Sequence, residues 1–161
     1  MLIAITREVS PSLADCELSF VGRSPIDLAR ANEQHRAYQR ALAALGCEVR
    51  ELPAEPEFPD AVFVEDVAVV VDEVAVMTRP GAESRRGEGP SVARVLAAWR
   101  ELRAIEAPGT LDGGDVLRIG KRVYVGESAR SNAVCRREAG ERAPVRLVDG
   151  HDRSAGAFAE E

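Results

Sequence analysis

Two stretches of the chain repeat one pattern, and this repeat limits the folds that the chain can adopt. Each copy begins with an acid, Asp66 or Asp115, and continues with an apolar strand, a tight turn, a second apolar strand and a glycine. An arginine follows in the next loop, Arg85 in the first copy and Arg130 in the second. The copies lie about fifty positions apart, as in repeat architectures. Such a unit cannot bury its own apolar face, so several units must pack around a shared core.

Strands and helices are predicted to alternate along the rest of the chain. Ser24 is the expected N-cap of a first helix, with Pro25 at its first position, and Gly46 is expected to end it. A glycine-rich phosphate loop does not occur in the sequence, which disfavours a nucleotide-binding Rossmann sheet. The pattern therefore favours an α/β propeller. The predicted elements are strands at 2–6, 47–52, 67–71, 74–77, 104–106, 116–119 and 122–125 and helices at 24–45 and 91–102.

Composition excludes several classes of function. The 161 residues carry a net charge of −6 and a pI near 5.1, so no basic face for nucleic acid is expected. No apolar run reaches the length of a membrane-spanning helix, and the short apolar N-terminus does not resemble a signal peptide. We therefore expect a cytoplasmic protein without nucleic-acid or membrane partners. Cys16, Cys47 and Cys135 lack metal-ligand spacing, and we expect neither a metal, a cofactor nor a cysteine nucleophile from them.

A cluster of acids precedes the first repeat. Asp60, Glu65 and Asp66 lie within seven positions and are interleaved with apolar residues, among them Phe63. Carboxylates at the mouth of a buried strand are costly to desolvate unless they meet a cation or hydrogen-bond donors. A polar loop that enters a strand is one interpretation of this cluster. The other is a pocket for a cationic ligand.

The arginines of the repeat narrow the ligand that such a pocket would bind. Asp112 adds a further carboxylate, and Arg85 and Arg130 offer two cations from equivalent loops. A guanidinium pairs with carboxylates through two parallel hydrogen bonds, and an α-carboxylate would meet the arginines in the same way. A small molecule with both groups, such as arginine or a close derivative, would satisfy the set. A divalent metal held by the acids is a weaker alternative, because the arginines would oppose it.

Five motifs make the chain resemble dimethylarginine dimethylaminohydrolases, which belong to the superfamily of guanidino-group modifying enzymes. They extend from the N-terminus to about residue 134, in order and with spacing similar to that of the family. The resemblance implies a pentein-type, fivefold α/β propeller of ββαβ repeats with a central pocket for a methylated arginine. The motifs are Cys-Glu-Leu at 16–18, Phe-Pro-Asp-Ala-Val-Phe-Val-Glu-Asp at 58–66, Arg-Pro-Gly-Ala-Glu-Ser-Arg-Arg at 79–86, Thr-Leu-Asp-Gly-Gly-Asp-Val-Leu at 110–117 and Tyr-Val-Gly-Glu-Ser-Ala-Arg-Ser-Asn at 124–132.

The resemblance also implies roles for individual residues. Asp66 is the best candidate to hold the guanidinium, and Arg85 and Arg130 would hold the α-carboxylate. Asp112 would be the carboxylate that orients a catalytic histidine. How the acids divide the amino and guanidine ends of the ligand stays open. The full predicted binding set is Leu18, Asp60, Phe63, Glu65, Asp66, Arg85 and Arg130, with Asp112 as the catalytic carboxylate.

The chain departs from the family pattern after residue 134. In the family, a cysteine thiolate attacks the guanidinium carbon, dimethylamine leaves, and hydrolysis of the adduct yields citrulline with a histidine as acid and base. The motifs that carry this histidine and cysteine have no match here, and His151 has polar neighbours that fit a loop. We therefore expect a guanidine-binding domain at 1–134 and an atypical tail at 135–161, truncated relative to the family fold.

Two functional alternatives follow. The chain is either a dimethylargininase-like hydrolase that is inactive alone, or a non-catalytic module that binds arginine-like ligands or completes its propeller by association with another subunit. In either case an open propeller would expose strand edges and part of its core, so self-association is expected.

Overall fold

The computed structural model describes residues 1–18, 21–120, 122–126 and 128–134 and the backbone of 146–148. The chain forms two compact units of mixed α/β structure. Unit 1 comprises Met1–Val64 and Ser84–Pro90, and unit 2 comprises Glu65–Glu83 and Ser91–Glu161. In the described part of the chain, no helix is long and apolar enough to cross a membrane.

Unit 1 contains a two-stranded parallel sheet with a helical crossover. Strand β1 (Leu2–Arg7), helix α1 (Leu28–Ala44) and strand β2 (Cys47–Leu52) follow one another, and β1 pairs with β2 from Leu2 opposite Cys47 to Arg7 opposite Leu52. A crossover of this kind is how parallel strands are joined. The predicted strand–helix–strand unit is confirmed.

The start of α1 differs from the prediction. The helix begins at Leu28, and the carboxylate of Asp27 accepts a hydrogen bond from the Arg30 amide at 3.0 Å. Asp27 is therefore the N-cap, three residues after the predicted Ser24, because its side chain satisfies an amide of the first turn. The predicted end is confirmed, since Gly46 follows the last turn with a φ of 89°.

The apolar stripe of α1 is only partly covered. Leu28 and Ala31 pack with Ile26 and Val62 against a small core of Val9, Leu13 and Cys16. Tyr38 and Leu45 lie further along the stripe and are exposed, and no residue of α1 is buried. His35 is half-buried, with its Nε2 3.3 Å from Nε2 of Gln39. Helix α1 therefore packs through its N-terminal apolar residues, whereas the rest of its apolar side chains stay largely in contact with solvent.

Unit 2 contains two three-stranded sheets of the same topology. In the first, β3 (Ala68–Val70) runs antiparallel to β4 (Val74–Met77), and β4 runs parallel to β5 (Glu101–Ala104). In the second, β6 (Val116–Ile119) is antiparallel to β7 (Arg122–Val125), which is parallel to β8 (Arg146–Val148). Both predicted hairpins and their repeat are confirmed.

The segment around residue 100 differs from the prediction. Helix α2 spans Gly89–Leu96. It therefore ends before Leu102, the last residue of the helix predicted at 91–102. Leu102 instead lies in β5 opposite Ala75, so the strand predicted at 104–106 is displaced to 101–104. Pairing with β4 determines the structure of this segment, although the local spacing of its apolar residues favours a helix. Strand β8 lies within the tail predicted from residue 135.

One apolar cluster joins the two sheets of unit 2. It is formed by β-strand residues, by Val71 directly after β3, and by Ile105 and Leu111 from the segment between the sheets, and each member is at most 5% exposed. Burial of this many branched side chains is the main source of stability for the unit. The members are Val71, Val74, Val76, Ile105, Leu111, Val123 and Val125.

Candidate functional site

Asp112 is the most buried of the predicted site residues. It lies just before a short 3₁₀ turn (Gly113–Asp115) that leads into β6, and its exposure is 0%. Oδ1 accepts a hydrogen bond from the Gly81 amide at 3.3 Å, and Nη1 of Arg130 lies 3.3 Å from Oδ2. A buried carboxylate requires such partners, because ionisation away from water is costly. Asp112 is therefore held between a backbone amide and the guanidinium of Arg130.

Arg130 approaches this carboxylate from a loop that packs against the Arg-Pro-Gly motif. A Cβ atom on Gly81 would lie 2.6 Å from the Cα of Arg130, so only glycine permits this approach. The Arg130 side chain keeps 41% of its surface exposed, whereas that of Asp112 keeps 1%. The guanidinium of Arg130 therefore lies at the surface, and the buried carboxylate of Asp112 holds one side of it.

Serine hydroxyls fix the loop that carries Arg130. Ser131 is 1% exposed and accepts from the Asp112 amide at 3.0 Å, and it donates to Oδ2 of Asp115 at 2.6 Å. Ser128 donates to the same oxygen at 2.7 Å and accepts from the Arg130 amide at 3.0 Å. Charge-assisted hydrogen bonds of this type are short and strong. Asp115 therefore acts as a structural acid that orders the arginine loop.

Glu65 and Asp66 lie over the turn that follows Asp112. Both belong to a 3₁₀ turn (Val64–Asp66) that precedes β3, as the turn at Asp115 precedes β6. Oδ1 of Asp66 accepts from the Gly114 amide at 3.0 Å, and a Cβ on Gly113 would collide with the carbonyl oxygen of Glu65. Glu65 is exposed and Asp66 is half-buried. Within unit 2, the structure thus brings the predicted residues Glu65, Asp66 and Asp112 to neighbouring turns.

Asp60 is a buried acid of unit 1. It is 6% exposed, and its Oδ2 accepts from the Glu17 amide at 3.0 Å. Oε1 of Glu17 in turn accepts from the hydroxyl of Ser84 at 2.6 Å. The Cys-Glu-Leu motif is therefore tied to Asp60 and to the serine that precedes Arg85.

Arg85 lies inside unit 1. It is 4% exposed, and Nε and Nη2 donate to the two oxygens of Glu88 at 3.0 and 2.9 Å. Nη2 also reaches the carbonyl oxygen of Asp60 at 3.4 Å. Gly87 completes the packing, since a Cβ there would collide with the ring of Phe58. This bidentate pair positions Arg85 rigidly.

Two apolar residues of the predicted binding set, the cysteines and His151 remain to be located. Leu18 and Phe63 are exposed to 39% and 42%, and both belong to unit 1. Cys135 and His151 lie outside the described residues. Cys16 is buried and Cys47 is half-buried, and both are thiols without a disulfide. No group of three or more metal-ligating side chains occurs within the residues that the structure describes.

Sequence reasoning missed two groups that organise the site. Glu88 follows Arg85 by three positions, and this spacing is a recognisable signal for an ion pair on one turn. Ser131 has no comparable signal, because its hydroxyl connects two motifs that are far apart in sequence, and this connection is seen only in the fold.

A cavity of about 490 Å³ in unit 1 was also not predicted, and its lining contains none of the predicted site residues.

Comparison with known proteins identifies relatives of this chain. Dimethylarginine dimethylaminohydrolase of Streptomyces coelicolor is 47% identical over 131 residues, which are 81% of this chain and 51% of that protein. The enzyme of the same name from Pseudomonas aeruginosa is 43% identical over 132 residues, or 80% and 51% of the two chains. No family model matches the chain.

A solved structure agrees with these relatives. A cysteine-to-serine variant of the Pseudomonas aeruginosa enzyme in complex with citrulline has a TM-score of 0.84 and 37% identity. The match covers 92% of this chain and 62% of that one. The mixed α/β fold is therefore that of the guanidino-group modifying enzymes.

Within this class, the chain is related to the dimethylarginine dimethylaminohydrolases. The resemblance expected from the five motifs is confirmed. The chain spans about half the length of the curated relatives that it matches.

Proposed function

We propose that this chain binds a small zwitterion with a guanidinium or ureido group, such as dimethylarginine or citrulline. The observation that carries the proposal is the pair of Asp112 and Arg130, in which a fully buried carboxylate supports a half-exposed guanidinium. An exposed guanidinium with one anchored side is suited to bind a carboxylate through its remaining donors. The relative from Pseudomonas aeruginosa was solved with citrulline, which carries such a carboxylate.

The acids supply the other end of the proposed ligand site. Asp66 and Glu65 belong to one turn of unit 2, and Glu65 is exposed. A carboxylate on a short, anchored turn would pair with the cationic end of an arginine derivative at little cost in side-chain entropy. Asp60, Leu18 and Phe63 are also proposed to contact the ligand. Arg85 is proposed to contact the ligand while Glu88 keeps its guanidinium in place.

We also propose an activity for the enzyme to which residues 1–134 correspond. It is hydrolysis of a methylated arginine to citrulline and dimethylamine. Asp112 would orient a catalytic histidine in this reaction. Neither the histidine motif nor the cysteine motif of the family has a match in the sequence, so we propose that the chain binds the ligand but does not turn it over alone. Residues 1–134 would form the guanidine-binding part of an α/β propeller, and residues 135–161 a divergent tail.

The second candidate is a binding module that acts without catalysis or completes its propeller by association with another chain. The two sheets of identical topology in unit 2 are consistent with this candidate, because repeat units of this kind bury their faces against neighbours. Release of citrulline from dimethylarginine by the purified chain would exclude it and would also contradict the proposed inactivity.

Ligand-induced stabilisation tests the binding proposal. We expect dimethylarginine and citrulline to raise the unfolding temperature, with a stabilisation of about 2.7 kcal/mol when the ligand is at one hundred times its Kd. Agmatine, which lacks the α-carboxylate, and lysine, which lacks the guanidinium, are matched control ligands. Equal shifts with all four compounds, or none with any, would contradict a site that recognises both ends.

A further inference from the structure

One carboxylate oxygen of unit 2 accepts hydrogen bonds from two hydroxyl groups. Oδ2 of Asp115 lies 2.7 Å from the hydroxyl of Ser128 and 2.6 Å from that of Ser131. Asp115 ends the 3₁₀ turn before β6, whereas the two serines lie in the loop after β7, on either side of Arg130 in sequence. Lengths of this size are typical of hydroxyl donors on a carboxylate. The acid therefore holds the arginine loop at two points.

The direction of these hydrogen bonds follows from the backbone amides around them. The Ser128 hydroxyl oxygen accepts from the amides of Arg130 and Ser131 at 3.0 and 3.2 Å. The Ser131 hydroxyl oxygen accepts from the Asp112 amide at 3.0 Å. Because an amide nitrogen only donates, the proton of each hydroxyl remains for the carboxylate of Asp115. Removal of this carboxylate would therefore take away the acceptor of both hydroxyls.

These bonds also connect the two groups that hold Arg130. Ser131 is buried, and its one hydroxyl connects Asp112 with Asp115. The guanidinium of Arg130 lies 3.3 Å from Oδ2 of Asp112, and the Arg130 amide donates to Ser128. The backbone of the arginine and the acid beside its side chain are thus both bonded to hydroxyls that donate to Asp115. A binding group needs such support from neighbouring residues to stay in its productive geometry.

We propose that Asp115 is a positioning residue, which makes the ligand site specific for an α-carboxylate through Arg130. This inference rests on the proposed function, in which Arg130 binds that carboxylate. Asp115 acts without contact with the ligand, because its Oδ2 is occupied by the two serine hydroxyls. A loop that is ordered before binding loses less conformational freedom when the ligand arrives, and this raises the affinity. Only a ligand whose carboxylate contacts Arg130 gains from this order.

Ligand affinity in a double-mutant cycle tests this role. Asp115→Ala should weaken the binding of citrulline by about fivefold, through the cost of ordering the arginine loop. The same change in an Arg130→Ala background should have no further effect, because the group that Asp115 positions is absent. Asp72→Ala is the matched control, since Asp72 is an exposed acid of unit 2 that pairs with Arg118, and it should leave the affinity unchanged. Calorimetric titration measures all four affinities.

A second pair of variants replaces this test if Asp115→Ala does not fold. Ser128 is exposed, so its side chain can be changed without disturbing a core. Ser128→Ala removes one hydroxyl from Asp115 and should weaken the binding of citrulline, whereas Ser128→Thr keeps the hydroxyl and should retain it. Equal affinities of the alanine and threonine variants would then overturn the proposal.

The outcomes separate this inference from the proposed function. An Asp115→Ala chain that binds citrulline as tightly as the wild type overturns the inference, and so does a further loss in the Arg130→Ala background, which marks a merely structural role. If the wild-type chain binds neither citrulline nor dimethylarginine, the proposed function fails, and the link from Asp115 to the ligand fails with it. Amide hydrogen exchange still measures the loop, because the Arg130 and Ser131 amides should exchange faster in Asp115→Ala than in the wild type. Equal exchange overturns the ordering of the loop by Asp115, whatever the ligand result.

Discussion

The two units of the molecule bury different kinds of side chain. The buried residues of unit 2 are mainly aliphatic, and most of them belong to one cluster across two sheets. Unit 1 has a small apolar core, but most of the buried polar residues in the described part of the chain belong to it. They are Thr6, Arg7, Ser10, Asp60, Arg85 and Glu88. Apolar packing therefore stabilises unit 2, whereas unit 1 depends to a larger extent on satisfied polar groups.

Burial determines how much each ion pair matters. In unit 1, Arg85 and Glu88 are 2.9 Å apart, and their side chains are 5% and 3% exposed. In unit 2, Arg103 and Glu101 are 3.1 Å apart with exposures of 40% and 66%. Removal of one partner from a buried pair leaves an uncompensated charge, whereas a solvated pair contributes little. The two regions should therefore respond differently to the same substitution.

The largest effect is expected for Glu88→Gln. This change leaves the buried guanidinium of Arg85 opposite a neutral amide, and we expect a loss of about 3–5 kcal/mol in the free energy of unfolding. Glu101→Gln is the matched control at the exposed pair and should cost about 0–1 kcal/mol. Urea unfolding followed by far-ultraviolet circular dichroism measures both.

A double variant sharpens this test. Arg85→Leu combined with Glu88→Leu removes both charges, and it should be less destabilised than Glu88→Gln, because buried pairs can often be replaced by apolar residues at little cost. If Glu88→Gln and Glu101→Gln had equal effects, unit 1 would not depend on its buried charges, and the contrast between the units would be wrong.

The next effect is expected in the apolar core of unit 2. Leu111 is 1% exposed, and Leu111→Ala should cost about 2–5 kcal/mol through lost burial and the cavity that remains. Leu117→Ala is its control, since Leu117 is 58% exposed and should change stability by at most about 0.5 kcal/mol. Fluorescence of Trp99, the one tryptophan of the chain, reports on unit 2 in these titrations. A similar response of the two variants would contradict the role of this core.

The two hairpins of unit 2 were predictable from the sequence, whereas its helix α2 and strand β5 were predictable only in part and β8 was not predicted. The hairpin at 116–125 was placed correctly to the residue, because alternation, a glycine turn and a closing glycine agree. The helix predicted to Leu102 ends at Leu96, because pairing of β5 with β4 outweighs a local stripe. Pairing between distant strands is not encoded in any local window, so boundaries of this kind are the least predictable part of the fold.

A smaller loss of stability is expected at the turn between the acids of unit 2. The Cβ of Gly113→Ala would collide with the carbonyl oxygen of Glu65, so the backbone must shift, at a cost of about 1–3 kcal/mol. At Gly126 the same Cβ would lie 3.6 Å from the carbonyl oxygen of Asp115, an ordinary contact. Gly126→Ala is therefore the control and should be the milder change. Equal unfolding free energies for the two variants would argue against the close approach at Gly113.

The next effect concerns ligand affinity and compares Arg130 with an arginine outside the proposed site. Arg130→Ala should weaken binding of citrulline or dimethylarginine by about tenfold, or ~1.4 kcal/mol, through loss of a charge-assisted contact to the α-carboxylate. Arg118→Ala is a matched control, because Arg118 is an exposed arginine of unit 2 that also pairs with an acid, Asp72, at 3.2 Å. Calorimetric titration measures both affinities. An unchanged affinity for Arg130→Ala would remove Arg130 from the proposed site.

The candidate site was predictable as a set of residues but not as an arrangement. Sequence reasoning treated Arg85 and Arg130 as equivalents, since each follows a hairpin of the repeat. The structure buries Arg85 on Glu88 and leaves Arg130 half-exposed beside Asp112. The two loops differ because one carries its own acid three positions later, whereas the other meets an acid from a distant turn. Repeats thus predict where functional side chains lie in the chain but not which neighbours hold them.

The smallest effect concerns the start of α1 in unit 1, where two capping residues compete. Asp27→Ala removes the acceptor for the Arg30 amide and should cost about 1 kcal/mol. Ser24→Ala should change stability by less than about 0.5 kcal/mol, because Ser24 precedes the helix and is exposed. Chemical denaturation of the two variants compares the caps. A larger loss of stability for Ser24→Ala than for Asp27→Ala would instead support Ser24 as the N-cap of α1. The expected order shows instead that a side chain hydrogen bond, and not proline at the first position, sets where this helix begins.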